Sequence, residues 1–343
     1  MGQYRRKVFR EIGMTDNSRQ ALVGALGGTY ISLATMDIDE LTVSNFALLN
    51  SNSFRSPMEA IERYLKSIPR CPRMVALSIA GRVDKDRATM THRPWTFDWN
   101  DIRAVTDADK VCFVNEFDAL ALAMPHMTKY ELIALGDGVV APGGNKAVIA
   151  AGTGLGTASL VLVNGHWHAR SGASLLASLP LGIREDFDFS DFADASGFVP
   201  AGRLLCGKGL VEVYRKLGGK ADNPTPEQIT ADGLKGLEDA ATRALGLMAT
   251  WLGRFAGDMA LHVGATGGVY LAGGLPTGLA PVLGKGGFRI AFDGVGERAE
   301  YLKDVAVYAL KTAADPGLRG AAVALANSLP RTQRRYQSAR LDR

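Results

Sequence analysis

Two stretches of the chain, residues 21–37 and 147–165, share one pattern of apolar and glycine positions. Each consists of two apolar, β-rich runs that are separated by a glycine turn. Such a pattern predicts a β-hairpin. Further apolar runs at 74–81, 111–117 and 305–310 predict buried strands. Each hairpin is therefore expected to open an α/β unit of its own.

Helical patterns lie between these strands. Residues 56–59, Ser-Pro-Met-Glu, combine a capping residue, a proline in the first turn and a glutamate placed to close a capping box. Apolar side chains then follow at helical spacing, at Met58, Ile61, Leu65 and Ile68. Residues 118–124, 226–263 and 317–329 are also predicted to be helical. Because helices and strands alternate, the predicted fold class is α/β with mixed sheets.

Three glycine clusters are candidates for phosphate binding. They consist of Gly27, Gly28 and Thr29 in the first hairpin, Gly152, Thr153 and Gly154 in the second hairpin, and Gly273 and Gly274 between a strand and a helix. Such turns expose backbone N–H groups that can surround phosphate oxygens, although each cluster alone is more simply explained as a tight turn. The chain has no G-x-x-x-x-G-K-[ST] sequence, and its G-x-G-x-G cluster lies in a hairpin, which disfavours a dinucleotide-binding fold.

Composition and charge narrow the functional class. The 343 residues, 47% of them apolar, can fill one large or two ordinary domains. The net charge is +4, but residues 1–17 carry +2 and residues 328–343 carry +4, so the intervening body carries −2. A folded basic face for nucleic acid is therefore not expected. A weak contact of the basic tails, 1–17 and 330–343, with RNA or an anionic membrane stays open.

The distribution of apolar residues and cysteines bears on location. No apolar run approaches the roughly 20 residues that cross a bilayer, and the basic start of the chain lacks the apolar core of a signal peptide. The three cysteines, Cys71, Cys112 and Cys206, are far apart in apolar settings and are expected to be free thiols. A cytoplasmic protein without membrane association is expected.

The motifs of the chain, taken in order, resemble those of the bacterial ATP-dependent glucokinases. They are LVGALGGTY, SIAGRVD, THRPWTFD, VNEFDALALAMP, AAGTGLGTASLV, AGRLLCGKGLVEVYRKLGG, GVYLAGGLPTGL and PGLRGAA. The resemblance implies the two-domain hexokinase/actin-like (ribonuclease H-like) α/β fold with an inter-domain cleft. A small domain is then expected at 18–126 plus 318–329 and a large domain at 127–317. The resemblance also implies a cytoplasmic homodimer that phosphorylates glucose to glucose 6-phosphate with Mg²⁺-ATP.

The resemblance also implies roles for particular residues. The turns at 27–29 and 152–154 would bind the phosphates of ATP, and Gly273 and Gly274 would lie beside its adenosine. Glu116 stands where the family has its catalytic aspartate, directly after Asn115, which would bind the acceptor. The carboxylate of Glu116 is displaced by one methylene, and a misplacement of about 1 Å can cost on the order of 100-fold in rate. Glu116 also has a plainer explanation, as a cap of the helix that follows.

The residues that would hold the metal and the sugar depart from the family pattern. Ala25 replaces the aspartate that organises the water shell of the metal, so the sequence offers no metal ligand and Mg²⁺ is not expected to be held well. Ala173, Leu176 and Gly202 replace two glutamates and a histidine that hold the sugar. Residues 169–184 contain no Asp, Glu or His at all, so a shift of the alignment by one residue does not restore these ligands.

Two nearby histidines do not make up for these losses. His166 and His168 lie just before the altered segment, and without a carboxylate partner they are expected to be surface residues of a strand. A hydrogen bond from a sugar hydroxyl to a charged partner is worth about 1.5–3 kcal/mol. Losing three such partners therefore removes roughly 4–9 kcal/mol of binding free energy if the losses add.

The sequence thus predicts a degenerate member of the glucokinase family that is poor or inactive on glucose. The favoured interpretation is a pseudoenzyme that binds nucleotide or a protein partner. A kinase that acts on a different sugar or polyol acceptor, with Glu116 as the base, stays open as the alternative. A nucleic-acid-binding regulator is disfavoured, because about 20 residues ahead of the fold are too few for a helix-turn-helix module.

Overall fold

The computed structural model of the protein describes residues 19–182, 186–311 and 315–330. The expected basic tails, 1–17 and 330–343, lie outside this description except for Pro330. The strands of the described residues are β1 Gln20–Leu26, β2 Tyr30–Asp37, β3 Val43–Asn50, β4 Met74–Ile79, β5 Gly81–Asp84, β6 Arg87–Met90, β7 Thr96–Asp98, β8 Lys110–Asn115, β9 Leu132–Ala134, β10 Lys146–Ala151, β11 Leu155–Val163, β12 His166–Gly172, β13 Val269–Ala272 and β14 Val307–Leu310.

The α-helices of the same residues alternate with these strands. They are α1 Pro57–Leu65, α2 Trp99–Thr106, α3 Glu116–Ala123, α4 Ala201–Leu204, α5 Gly207–Lys216, α6 Pro226–Lys235, α7 Asp239–Val263, α8 Gly274–Leu283, α9 Gly287–Asp293, α10 Glu297–Leu302 and α11 Pro316–Ser328. Both predicted hairpins, β1–β2 and β10–β11, are present as antiparallel pairs. The α/β class predicted from the alternation is confirmed.

The chain divides into two compact units. The first unit comprises the described residues within Met1–Ala119 and Gly317–Arg343, and the second unit comprises those within Leu120–Pro316. The last helix, α11, thus belongs mostly to the unit that contains the start of the chain. The domain boundaries expected from the sequence, after residues 126 and 317, stay a prediction.

The first unit is built on a five-stranded sheet in the order β3-β2-β1-β4-β8. Strands β1, β4 and β8 are parallel, whereas β2 and β3 extend the sheet in antiparallel fashion. Alternate apolar residues of the sheet, such as Leu22 and Leu77, pack in one core with Ile61 of α1 and Ile102 of α2. A separate three-stranded sheet, β5-β6-β7, follows β4.

Helix α1 begins close to the predicted position, with one difference in its cap. The Ser56 hydroxyl accepts a hydrogen bond from the Glu59 N–H at 3.3 Å, and Pro57 is the first helical residue. The Glu59 carboxylate accepts from the N–H of Arg55 at 2.8 Å, one residue earlier than in a capping box. The helix ends at Leu65, so Ile68 packs against the core from the loop that follows.

The second unit is built on a six-stranded sheet in the order β12-β11-β10-β13-β14-β9. Its strands β10, β13 and β14 are parallel, so their carboxyl ends meet at one edge of the sheet. The predicted helical region 226–263 is two helices, α6 and α7, separated at Gly236, which adopts a left-handed conformation with φ of 67°. Helix α7 is 25 residues long and carries Trp251, which is fully buried in the core.

Small residues on α11 allow a close approach of two helices in the first unit. A Cβ atom placed on Gly320 would lie 1.7 Å from the carbonyl oxygen of Ala119 in α3. No side chain fits at that distance, so glycine is required at position 320. The neighbouring residues Ala321, Ala322 and Leu325 are also buried.

Candidate active site

The first glycine turn joins β1 to β2, and its carbonyl groups are held by neighbouring segments. The N–H of Gly27 donates to the carbonyl of Tyr30 at 2.9 Å. Ser51 donates from its hydroxyl to the Gly27 carbonyl at 3.0 Å and from its N–H to the Thr29 carbonyl at 2.9 Å. Arg93 Nε donates to the Gly28 carbonyl at 2.8 Å. Every carbonyl of this turn is therefore occupied.

Two N–H groups of the same turn, those of Gly28 and Thr29, are uncommitted. Within the described part of the chain, no hydrogen bond uses the N–H of Gly28 or Thr29, and Thr29 is exposed. A Cβ atom on Gly28 would lie 3.2 Å from the Cβ atom of His92, so the turn is tightly packed on that side. Free N–H groups in a fixed turn are suited to binding an anion.

The second and third glycine clusters lie side by side in the second unit. The turn at 152–154 follows β10, and Gly273 follows β13, the parallel neighbour of β10. A Cβ atom on Gly152 would lie 4.0 Å from the N–H nitrogen of Gly274, the first residue of α8. Gly273 has φ of 92°, and a Cβ atom there would lie 2.4 Å from the carbonyl oxygen of Ala151. These two of the three predicted clusters thus come together at the carboxyl edge of the sheet.

The second turn is also fixed by its surroundings. Its Gly152 N–H donates to the Gly154 carbonyl at 2.9 Å, and its Gly152 carbonyl accepts from the N–H of Gly207, the first residue of α5, at 2.8 Å. Thr153 and Gly154 are exposed at its tip. A rigid turn with an exposed tip and an adjacent helix N-terminus is suited to phosphate oxygens.

Asn115 and Glu116 lie at the junction of β8 and α3 in the first unit. Asn115 Oδ1 accepts from the N–H of Phe117 at 2.9 Å, and its Nδ2 donates to the carbonyl of Gly81 at 2.8 Å. A Cβ atom on Gly81 would lie 2.1 Å from the carbonyl oxygen of Thr89, so this position requires glycine. Asn115 therefore caps α3 and ties it to the strand that follows β4.

Glu116 is the first residue of α3 and does not serve as its cap, because Asn115 makes the capping bond. Burial raises the pKa of the Glu116 carboxyl to about 7. A carboxyl with a pKa near the working pH has the acid–base property that a general base needs. Two residues further on, Asp118 holds a buried carboxylate oxygen that has no hydrogen-bond partner among the described residues.

The first glycine turn does not fit a divalent cation. Ala25, on β1, offers no oxygen ligand, and the carbonyl oxygens of the turn already accept hydrogen bonds from Ser51 and from the cation Arg93. Mg²⁺ prefers carboxylate, carbonyl and water oxygens. Elsewhere in the described ranges, no group of three or more His, Cys, Asp and Glu residues is placed to hold a metal ion.

The altered sugar segment forms an irregular two-stranded ladder in the second unit. Leu179 donates its N–H to the Val199 carbonyl at 2.8 Å, and Ala201 donates its N–H to the Ala177 carbonyl at 2.8 Å. The ladder places Leu175 directly on Gly202, at the start of α4. A Cβ atom on Gly202 would lie 2.9 Å from the Leu175 Cβ atom and 3.0 Å from the Leu175 carbonyl oxygen. The backbone and side chain of Leu175 thus occupy the space that a side chain at 202 would need.

Two large apolar side chains beside this ladder are exposed. Leu176 is 73% exposed and Phe198 is 59% exposed. Ala173 is also exposed and carries no polar side chain. His166 and His168 lie on the edge strand β12, opposite Val163 and Val161 of β11. Positions 173, 176 and 202 therefore provide no charged side chain that could form a hydrogen bond with a sugar hydroxyl.

Solved structures of similar fold define the class of protein first. The glucokinase of an Antarctic psychrotroph superposes with a TM-score of 0.80 at 25% identity, covering 90% of this chain and 99% of that one. The glucokinase of Balamuthia mandrillaris, solved with glucose, has a TM-score of 0.76 at 15% identity, covering 94% and 99%. A hexokinase of the ROK family from Thermus thermophilus has a TM-score of 0.62 at 17% identity, covering 89% and 97%. The protein has the two-domain actin-like ATPase fold.

Sequence comparison then gives the family. The family model described as Glucokinase matches residues 22–328. The chain is 34% identical over 306 residues to the glucokinase of Pectobacterium atrosepticum, covering 88% of this chain and 95% of the relative. It is 33% identical over 318 residues to that of Escherichia coli, covering 91% and 98%. The chain belongs to the glucokinase family, a family of kinases for which ATP is a substrate.

The resemblance inferred from the motifs is therefore confirmed for family and fold. The roles of the individual site residues stay predictions. Among the described residues, no helix combines the length and the apolar character that crossing a membrane requires.

Proposed function

We propose that this member of the glucokinase family has lost efficient phosphorylation of glucose and is poor or inactive on that sugar. The observation that carries this proposal is the contact between Leu175 and Gly202. Position 202 is one of those at which the family holds the sugar through a carboxylate. Here Leu175 packs against Gly202 and occupies the space that a glutamate side chain at this position would need.

The other two sugar positions support the same proposal. Ala173 and Leu176 present methyl and isobutyl groups in place of a carboxylate and an imidazole. An apolar surface penalises a polyhydroxylated ligand, because each buried hydroxyl needs a partner. Loss of three charged partners corresponds to roughly 4–9 kcal/mol of binding free energy if the losses add.

A second candidate function is a kinase for a different sugar or polyol acceptor. This alternative is favoured by Glu116, whose raised pKa of about 7 preserves the property of a general base at the β8–α3 junction. Asn115, which holds this junction, would then orient the acceptor. The glycine turns at 27–29, 152–154 and 273–274 would hold ATP, and by analogy with the family we propose a cytoplasmic homodimer.

A coupled ADP-release assay on the full chain tests both candidates. We expect glucose turnover at least several orders of magnitude below that of a family enzyme measured alongside. A panel of other hexoses, amino sugars and polyols should be assayed at the same concentration, with Glu116→Gln as the control for each signal. Efficient glucose turnover that Glu116→Gln abolishes would overturn the proposal. Turnover of another acceptor that depends on Glu116 would establish the alternative.

A further inference from the structure

We propose that Arg93 makes the first glycine turn a binding site for a metal-free polyphosphate chain. In this site the guanidinium supplies the positive charge that a divalent cation would otherwise bring. The inference concerns phosphate binding in the first unit and does not rest on the proposal about glucose.

The position of Arg93 is fixed on three sides. Its Nε donates to the Gly28 carbonyl at 2.8 Å, and its Nη2 donates to the Oδ1 atom of Asn52. Its guanidinium lies 5.1 Å from the ring centre of Trp95, a buried residue on the same segment. A guanidinium that is held in this way loses little further side-chain entropy when it binds an anion.

The charge of Arg93 is not balanced by a carboxylate. Both of its hydrogen-bond acceptors, a peptide carbonyl and a side-chain amide, are neutral, and it forms no ion pair with any described Asp or Glu. A guanidinium has five N–H donors, and two are used here. The remaining donors are available for phosphate oxygens, which the planar guanidinium can bind in bidentate fashion.

The turn itself completes the site. The N–H groups of Gly28 and Thr29 are uncommitted, and the exposed Thr29 adds a hydroxyl. Because Arg93 and Ser51 occupy the carbonyl groups of the turn, its N–H groups are held in one orientation. The side chain of His92 also packs against Gly28. Backbone N–H groups, a hydroxyl and a guanidinium are three kinds of donor that phosphate recognition combines.

The same arrangement explains why a metal is not needed. Ala25 offers no oxygen to orient Mg²⁺ and its water shell, whereas Arg93 would repel a cation that bound to the turn. The metal-free form of a triphosphate carries more negative charge than its Mg²⁺ complex. The turn should therefore favour the metal-free form, in contrast to a site that binds phosphate through the metal.

Isothermal titration calorimetry on the full chain tests this inference, with inorganic triphosphate and ATP as probes. Each probe is titrated once in EDTA and once in excess Mg²⁺. We expect both to bind in EDTA at least as tightly as in Mg²⁺. Arg93→Gln should weaken binding in EDTA by about tenfold or more, since a charge-assisted bidentate contact is lost, and Arg93→Lys should retain part of the affinity.

Matched variants separate charge from support of the turn. Arg87→Gln removes an exposed arginine from β6 of the same unit and should leave binding unchanged. Asn52→Ala removes one support of Arg93 without removing charge and should cost much less than Arg93→Gln. Thr29→Val keeps the turn and deletes one donor, so it should weaken triphosphate binding even if Arg93→Gln fails to fold.

Binding that requires Mg²⁺ would overturn the inference, as would equal binding by wild type, Arg93→Gln and Thr29→Val. Binding of ATP without binding of inorganic triphosphate would also overturn it, because the site would then recognise the nucleoside. None of these outcomes affects the glucose assay, so the two proposals fail independently.

Discussion

At the scale of single residues, the ionisation of Glu116 couples the candidate active site to stability. Its pKa is raised by burial from 4.5 to about 7, so the folded protein holds a proton that the unfolded chain releases between these two pH values. Stability contributed by the protonated carboxyl is therefore present below pH 4.5 and is lost as the pH rises through 7.

Glu116→Gln should remove this loss. We expect the variant to be more stable than wild type at pH 8, by no more than about 3 kcal/mol, and equally stable at pH 4. Urea unfolding across this pH range measures the difference. Glu62→Gln, at an exposed position on α1, is the control and should follow wild type. If the free energy of unfolding of Glu116→Gln varied with pH in the same way as that of wild type, the raised pKa of Glu116 would be contradicted.

Lys146 shows the opposite behaviour in the second unit. It is 5% exposed, donates to the Gly267 carbonyl at 3.2 Å and lies 4.8 Å from the ring centre of Trp167. Burial lowers its pKa from 10.5 to about 8. Because the unfolded chain holds the proton up to the higher value, stability should rise as the pH increases from 8 to 10.5.

Lys146→Met should abolish that rise. The variant keeps an unbranched apolar chain, so we expect it to be more stable than wild type at pH 7, by no more than about 3 kcal/mol. Thermal unfolding at pH 7 and pH 10 gives the comparison, with the exposed Lys285→Met as control. A variant that is less stable at pH 7 would show that the contact with Trp167 outweighs the cost of burying the charge.

Sequence patterns could locate Asn115 and Glu116 at the end of a strand, because the apolar run 111–117 leads into an Ala/Leu helix. They could not show the role of Arg93, which meets Gly28 across 65 positions of the chain. That contact depends on how the β5–β7 segment returns to the first hairpin. The raised pKa of Glu116 was equally hidden, since it follows from burial and not from residue type.

At the scale of elements, the ladder formed by 177–179 and 199–201 packs Leu175, which lies within the altered segment, against the altered position Gly202. Gly202→Glu alone should destabilise the protein by about 1–3 kcal/mol, since its Cβ atom would meet the Cβ atom and carbonyl oxygen of Leu175. Adding Leu175→Gly should recover part of this loss in a thermal unfolding experiment. Gly246→Glu, on an open face of α7, is the matched control and should be neutral or slightly stabilising.

Restoration of glucose phosphorylation should require the catalytic base, the metal ligand and the sugar ligands together. Glu116→Asp alone should not give glucose turnover, because the base would face no bound sugar. Adding Ala25→Asp should strengthen Mg²⁺-nucleotide binding only. Some activity should return only when the sugar ligands are also restored, with Ala173→Glu, Gly202→Glu, Leu176→His and Leu175→Gly. Residues that act as a unit have non-additive effects on the rate. The coupled assay on each step checks this, and turnover from Glu116→Asp alone would contradict it.

The elements themselves differed in how far sequence could predict them. The hairpins and parallel strands were predictable because glycines end their apolar runs. Helix α2 was not, because it is only eight residues long and its capping box uses Asp98 and Asp101 in place of the usual Ser or Thr with Glu or Gln. The division of 226–263 into α6 and α7 was also not predicted. Gly236 ends α6 because it adopts a left-handed conformation, and the sequence alone does not show which glycines do so.

At the scale of the whole molecule, the return of α11 places residues from the two sides of the second unit's sequence in one compact unit. The family resemblance implied this return, since it placed 318–329 in the small domain, but the close approach of Gly320 to Ala119 is visible only in the structure. A larger residue at 320 must separate α11 from α3. We therefore expect Gly320→Ala to destabilise the first unit by about 1–3 kcal/mol.

Limited proteolysis followed by mass spectrometry can show which unit responds to Gly320→Ala. If α11 stabilises the first unit, cleavage should increase within 19–119 while a fragment that begins near residues 120–127 and ends near 317 stays protected. Gly246→Ala, in a helix with open space around it, serves as the control and should leave the pattern of wild type. Increased cleavage confined to the second unit would contradict the expected domain organisation, because α11 would then support the wrong half of the protein. The ends of the protected fragment would also decide between a boundary at residue 119 and the one expected at residue 126.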